Sequence, residues 1–264
     1  MADEHADPIN EYEREPVPER ARLGLKSFVG QYAGEHVAGT ELMIGPLFVT
    51  AGVSAADLIG GLLVGNLLAV LSWRFFTAPI ATRARLTLYF QLEKICGRHL
   101  VSVYDLANGV MFTLLAGAMI TVAATALGVG FHFKMPQLTD TLPNSVGWVV
   151  AVLVTGALFS LVAACGYKFL ARFANIAAPW MVGMFLAFGI IGLQQMGVTS
   201  AGDFWTAAQT LIWKGGPPLE GQVKFTFWHV MFFAWFCNMA WHIGMADLSV
   251  LRYARRASYG LASA

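Results

Sequence analysis

Long apolar runs separated by short polar stretches make up most of the chain after residue 35. An α-helix needs roughly 20 apolar residues to cross a bilayer. Six runs reach that length, at about residues 36–56, 57–81, 100–130, 145–167, 173–196 and 225–247. The pattern therefore predicts an all-α, multi-pass membrane protein with about six transmembrane helices.

The first and sixth runs are interrupted by polar residues, glycine and proline. The interrupting residues are Gly39, Gly45, Pro46 and Gly52 in the first run, and Asn238, His242 and Gly244 in the sixth. Polar groups at membrane depth are tolerated where they are buried in protein or line a cavity. Two interrupted helices with a five-helix offset are typical of inverted-repeat transporters, in which freed carbonyls bind a cation and half-helix ends bind substrate. The alternative, that these residues only shape helix packing, stays open.

Small residues recur in the second run, GGLLVGNLLAVL at 60–71, and predict close helix packing with an interhelical hydrogen bond from Asn66. Asp57 is expected to cap this helix. In the third run Asn108 either caps the inner helix end or faces a cavity. These polar positions are candidates for structural as well as functional roles.

The distribution of lysine and arginine predicts the orientation of the chain. If the amino terminus is inside, thirteen of these residues lie in segments that are also inside. The outside segments contain Lys134, Lys214 and Lys224. Arg74 lies near the inner end of the second run. Because cytoplasmic loops are enriched in positive charge, both ends are predicted to be cytoplasmic, in the cell (inner) membrane. Residues 1–34 are polar and of mixed charge, and are predicted to form a mobile cytoplasmic tail.

The composition agrees with a membrane class and argues against several others. Hydrophobic residues make up 57% and charged residues 12% of the chain, against about 25% charged in soluble domains. A net charge of +1 without a basic, aromatic-interleaved patch argues against nucleic-acid binding. No motif for a metal cluster, an activated nucleophile or a phosphate loop was found, so an enzyme is not expected.

Two stretches of sequence resemble a known family. GVSAADLIGGLLVGNLLAVLS (52–72) and GMADLSVLRYARRASYG (244–260) are similar to the second and sixth helices of the nucleobase:cation symporter-1 family, which includes cytosine, purine, allantoin and hydantoin permeases. The resemblance implies a LeuT-like fold of two inverted five-helix repeats. It also implies symport of a heterocycle with Na⁺ or H⁺ by alternating access, with no other cofactor.

The same resemblance divides the chain and implies a substrate site. Residues 35–196 would form the first repeat, 197–224 an external loop, and 225–264 the first helix of the second repeat with its cytoplasmic end. A ring would stack on Trp241, with Trp235 as the reserve aromatic, and cation-binding carbonyls would lie near Ile44 and Gly45. The implied substrate-binding residues are Trp241, Asn238, His242, Trp235, Phe112, Asn108, Glu41, Gly45 and Pro46.

The chain departs from the family in two respects. Phe112 is the only aromatic near the position where the third helix of the family often carries a tryptophan, and the second repeat is almost wholly absent. A fragment is therefore expected, with the missing C-terminal half, the bilayer and a small heterocycle as partners. The alternatives are a broken-helix transporter of amino acids or other small solutes, and a non-transporting membrane scaffold or accessory subunit.

Overall fold

The computed structural model of the chain describes residues 11–37, 41–136, 142–238 and 247–262, and all regular secondary structure in these ranges is helical. The all-α prediction is thereby confirmed for the described residues. The α-helices are α1 (Leu25–His36), α2 (Glu41–Thr50), α3 (Ala55–Ser72), α4 (Ala78–Ala84), α5 (Leu88–Cys96), α6 (Arg98–Phe131), α7 (Val146–Ala164), α8 (Tyr167–Gln195), α9 (Ala201–Ala207), α10 (Phe227–Asn238) and α11 (Asp247–Leu251). A π-turn (Trp73–Thr77) joins α3 to α4, another (Ala208–Ile212) follows α9, and 3₁₀-helices lie at Glu19–Ala21 and Ala257–Ala262.

Four helical segments of the described chain are long and apolar enough to cross a membrane. They coincide with the second to fifth predicted runs, at Ala55–Ala84, Arg98–Gly128, Val146–Ala164 and Phe169–Gln195. Large apolar side chains on them are exposed, as for Leu106 (71%), Leu153 (66%) and Ile176 (78%). Apolar surface on this scale is expected of helices that face lipid or other apolar partners.

The first and sixth predicted runs contain shorter helices. The first run contains α2 (10 residues) and the end of α1, and the sixth contains α10 (12 residues) and the start of α11. At about 1.5 Å per residue, α2 and α10 are each some 15 to 18 Å long and do not cross a bilayer by themselves.

The chain forms two compact units, each built from two separate stretches of sequence. One comprises residues 1–11 and 92–170, and the other 12–91 and 171–264. In the first unit α6 packs against α7, and the connection between them folds back so that Phe133 lies beside Gly147 and Met135 beside Gly128. In the second unit α10 lies along α3.

The contact between α3 and α10 depends on glycine. A Cβ on Gly61 would lie 2.6 Å from the Val230 Cβ, and one on Gly65 would lie 2.5 Å from the carbonyl oxygen of Met231. Side chains at these positions would therefore push the helices apart. The close packing predicted for residues 60–71 is confirmed. Ser54 is the cap of α3: its Oγ accepts a hydrogen bond from the Asp57 N–H and donates one to Asp57 Oδ2. Asp57, which was predicted to be the cap, lies in the first turn of the helix instead.

Residues 12–34 differ from the predicted mobile tail, because they belong to the second unit and pack within it. Phe28 and Tyr32 of α1 are fully buried. The Phe28 ring lies 5.9 Å from the Tyr259 ring, and the Tyr32 ring lies 5.3 Å from the Trp73 ring, centroid to centroid. The local charge pattern predicted a solvated segment, whereas its few apolar residues have partners that are distant in sequence.

The stretch predicted as an external loop, 197–224, contains α9 and continues as a cover over the α2–α3 turn. Backbone hydrogen bonds join Ala55 N–H to the Trp213 carbonyl (2.8 Å) and Leu219 N–H to the Thr50 carbonyl (2.9 Å). Gly52, at the turn, has φ +65°, and an added Cβ would lie 2.7 Å from the Gly216 carbonyl oxygen. A glycine is therefore required at this turn on both counts.

Candidate functional site

A pair of asparagines joins α3 to the end of α10. The Asn238 side-chain Nδ2 donates to Asn66 Oδ1 at 3.0 Å and to the Ala234 carbonyl at 2.8 Å. The predicted interhelical hydrogen bond of Asn66 is confirmed, and its partner is a residue that was predicted to bind substrate. Asn238 is half-buried and is the last residue of α10.

Trp235 lies about one turn before Asn238 and is also tied to α3. Its indole Nε1 donates to Ser72 Oγ at 3.3 Å, and Ser72 in turn donates to the Leu68 carbonyl at 2.8 Å. The indole ring stacks on the Phe236 ring, with centroids 5.4 Å apart and planes inclined by 25°. Ser72 was missed by the sequence analysis. The signal for it was available, since a serine among leucines in a membrane helix commonly bonds a neighbouring helix.

Gly45 and Pro46 lie inside α2, so the helix continues through the interruption predicted there. Pro46 lacks an N–H, and in an α-helix this leaves the carbonyl four residues earlier, that of Leu42, without its usual donor. The carbonyls of Ile44 and Gly45 are not the ones that the proline releases. The cation-binding carbonyls near Ile44 and Gly45 stay a prediction.

The neighbours of α2 connect it to α10. The Ile44 side chain packs against a buried cluster of Phe48, Val53, Leu58 and Val230, the last of which belongs to α10. Gly45 has open space around it and Pro46 is exposed. Glu41 begins α2, and its side chain lies outside what the structure describes.

Asn108 belongs to the first unit and lies well inside α6. The helix begins at Arg98, ten residues earlier, so the cap interpretation of Asn108 is wrong. Asn108 is 8% exposed, and its Nδ2 has no hydrogen-bond partner within the described residues. A buried amide donor without a partner is costly for a protein and commonly marks a functional position. Phe112 follows one turn later and is half-buried.

Two of the predicted site residues, Trp241 and His242, lie at 239–246, outside the described residues. Of the remainder, the structure brings Asn238 and Trp235 together with Asn66 and Ser72 in the second unit. Asn108 and Phe112 are one helical turn apart in the first unit.

The described residues form no cluster of three or more His, Cys, Asp or Glu side chains that could hold a metal ion. The candidate residues that the structure describes offer amides, aromatic faces and backbone carbonyls, which are hydrogen-bonding and stacking groups. Comparison of the chain with protein-family models, with curated proteins and with solved structures gives no match.

Proposed function

We propose that the protein is a secondary active transporter, a cation-coupled symporter of nucleobases or related heterocycles that works by alternating access. The observation that carries the proposal is the placement of residues 227–238 and 247–251 beside the continuous helical segment Ala55–Ala84 and the residues that follow it. That segment has 30 residues and is therefore about 45 Å long, enough to cross a bilayer.

The helices α10 and α11 both contact this segment or the residues just after it. Near its start, the Phe227 ring lies 3.5 Å from the position of a Cβ on Gly60. Farther on, Trp235 bonds Ser72. Beyond its end, the Ser249 Oγ accepts a hydrogen bond from the Leu88 N–H at 3.1 Å. The two short helices thus lie near the start and just beyond the far end of one segment of membrane-spanning length.

The helices α1 and α2 lie along the same segment in the opposite chain direction to α10 and α11. Tyr32 of α1 contacts Trp73, whereas Ile44 and Phe48 of α2 pack with Val53 and Leu58 at the start of α3. Spans that are assembled from two short helices are the membrane counterpart of helix-terminus ion and substrate sites. This supports six crossings and a transporter of the inverted-repeat type.

The chemistry of the candidate residues supports a heterocyclic substrate. The Asn108 amide offers donors and an acceptor, and Asn238, whose Nδ2 already donates to Asn66 and Ala234, offers its Oδ1 as an acceptor. Such groups match the alternating ring N–H and carbonyl groups of a nucleobase or hydantoin. Aromatic rings at Trp235, Phe112 and, outside the described residues, Trp241 offer stacking surfaces. The coupling cation would be Na⁺ or H⁺.

Uptake into proteoliposomes tests the proposal directly. Because a chain without the second repeat is not expected to transport by itself, full-length protein with the C-terminal half that the resemblance implies would be reconstituted and offered radiolabelled cytosine, uracil, hydantoin or leucine, with an inward Na⁺ gradient or an inward proton gradient. We expect accumulation of one heterocycle under one of the two gradients. Accumulation of leucine instead would favour the amino-acid transporter, and no uptake of any compound would favour the scaffold. Trp241→Ala is expected to abolish the heterocycle uptake.

Asn108→Ala separates function from stability. Because the Asn108 Nδ2 has no partner among the described residues, its removal costs no hydrogen bond there and leaves thermal stability unchanged or raised. Uptake is expected to fall by a factor of ten or more, since about 1.4 kcal/mol of substrate binding corresponds to that factor. Thr155→Ala, at another buried polar position of the same unit, serves as the control. Equal loss of stability and uptake in both variants would contradict the role of Asn108.

A further inference from the structure

Residues 12–23, which we name the strap, lie between two segments of the second unit that are far apart in sequence. One segment is 85–90, which follows α4, and the other is 252–255, which follows α11. In the proposed orientation both segments lie on the cytoplasmic side, at the inner ends of the second and sixth runs.

Three polar contacts attach the strap to 85–90. The Val17 N–H donates to the Arg85 carbonyl at 3.0 Å, and the Thr87 hydroxyl donates to the Glu13 carbonyl at 3.0 Å. The Arg85 guanidinium bonds Glu19 Oε1 at 3.0 Å. The Val17 side chain is fully buried, so the strap also has an apolar anchor.

A second set of hydrogen bonds attaches the strap to 252–255. The Leu23 N–H donates to the Tyr253 carbonyl at 2.7 Å, which forms an isolated parallel bridge between Leu23 and Ala254. The Arg22 guanidinium donates to the Ala254 carbonyl at 2.7 Å and to the Arg255 carbonyl at 2.6 Å. The buried Arg252 donates to the Tyr12 carbonyl at 2.7 Å.

We propose that the strap is a lock, which holds the end of the α10–α11 segment to the end of α4 and must be released before this side of the protein opens. The inference rests on the proposed transport function, because alternating access requires these two segments to separate. The strap is suited to release, since it is held by individual hydrogen bonds and an exposed ion pair, each of which is weak in water. The direct hydrogen bond from the Leu88 N–H to the Ser249 Oγ also joins the two sides, so it must break as well once the strap is released.

A comparison of Arg22→Ala with Arg20→Ala tests whether weakening the attachment of the strap opens this side of the protein. Arg20 is exposed on the same 3₁₀-helix and makes none of the hydrogen bonds that join Arg22 to 254 and 255. Both variants would carry Cys96→Ala and Cys165→Ala, so that the half-buried Cys237, next to Asn238, is the only remaining thiol. We expect Arg22→Ala to raise amide hydrogen exchange at 247–255 and N-ethylmaleimide labelling of Cys237 by about tenfold, as loss of two hydrogen bonds of ordinary net strength would. Values equal to those of Arg20→Ala would overturn the proposal.

A disulfide between Leu23→Cys and Ala254→Cys tests whether this side of the protein stays closed when the strap cannot be released. Two residues paired in a β-bridge lie within the range of Cα–Cα distances that a disulfide accepts. In the same background, oxidation is expected to slow the labelling of Cys237 and to stop uptake of cytosine, uracil or hydantoin, and dithiothreitol is expected to restore both. The oxidised single variants serve as controls.

The two readouts separate this inference from the proposed function. If the reduced protein takes up none of the compounds, the transport proposal fails, and the labelling of Cys237 still decides whether the strap controls access to the end of α10. If the oxidised protein labels and transports like the reduced protein, the strap is only a structural attachment and the lock is refuted.

Discussion

Individual polar residues connect the helices of the second unit at positions that are otherwise apolar. Asn66 could be predicted from the sequence as an interhelical donor or acceptor, because its neighbours are glycine and leucine. The pairing of Asn66 with Asn238, and of Ser72 with Trp235, could not. Residue type shows that a partner is needed, whereas the rotation of two helices about their axes decides which partner is reached.

A double-mutant cycle on Asn66→Ala and Asn238→Ala measures the strength of this pairing. Interhelical hydrogen bonds in membranes have coupling energies that average about 0.6 and reach about 1.7 kcal/mol. We expect a value in this range, measured by unfolding in mixed detergent micelles. The matched control is the cycle of Asn66→Ala with Ser72→Ala, on the same helix but in a different contact, where the effects should be additive. Equal coupling in the two cycles would show that the Asn66–Asn238 bond is not specific.

The carboxylate of Asp203 gives the start of α9 a defined pH dependence. Hydrogen bonds from the Thr199 and Ser200 side chains lower the pKa of Asp203 below its ordinary value of 3.8. Because the folded-state pKa is the lower one, the ionised cap favours folding above the ordinary value, and this contribution is lost as pH falls through the lowered pKa. The protection factor of the α9 amides, which is the intrinsic exchange rate at each pH divided by the observed rate, should therefore stay constant down to about pH 4 and fall below it. In Asp203→Asn this fall should be absent, and an unchanged fall would point to another group.

At the scale of helices, the α3–α10 contact depends on the absence of side chains at two glycines. Gly65→Ala places a methyl group 2.5 Å from the Met231 carbonyl oxygen and 2.7 Å from the Ala234 Cβ. We expect destabilisation by about 1–3 kcal/mol, as for other overpacked contacts. Gly183→Ala in α8 is the control, since nothing lies within 4 Å of a Cβ there, and its effect should stay below about 1 kcal/mol. Unfolding of both variants in the same detergent mixture compares them, and equal effects would contradict the packing argument.

The helices show which features hydropathy can predict. The four continuous apolar segments could be placed from the sequence, because a lipid-facing helix is apolar on nearly every side. The course of α2 could not, since proline is compatible with a membrane helix when neighbouring helices support it, and Pro46 lies within α2. The burial of α1 was also missed, because its partners Trp73 and Tyr259 are 41 and 231 residues from Tyr32 and Phe28.

For the whole molecule, the question that matters most for function is whether the two runs made of short helices cross the membrane. If only the four continuous segments cross, the 197–224 loop and the carboxyl end lie on one side, opposite the α5–α6 and α7–α8 connections. If all six runs cross, the carboxyl end lies with those two connections and opposite the loop. The charge count and the contacts of α10 and α11 with Ala55–Ala84 and the residues just after it both favour six crossings.

Cysteine labelling in intact cells distinguishes the two arrangements. Cys96 and Cys165 are exposed and serve as native reporters of the two connections, each left as the only cysteine. Leu219→Cys, at a position 58% exposed, and Arg256→Cys, at an exposed position, report the loop and the carboxyl end in a cysteine-free background. With a membrane-impermeant maleimide we expect Leu219→Cys to react in intact cells, and Arg256→Cys, Cys96 and Cys165 to react only after permeabilisation. If Arg256→Cys reacts together with Leu219→Cys, the sixth run does not cross, and the transporter proposal loses the helix on which its substrate site depends.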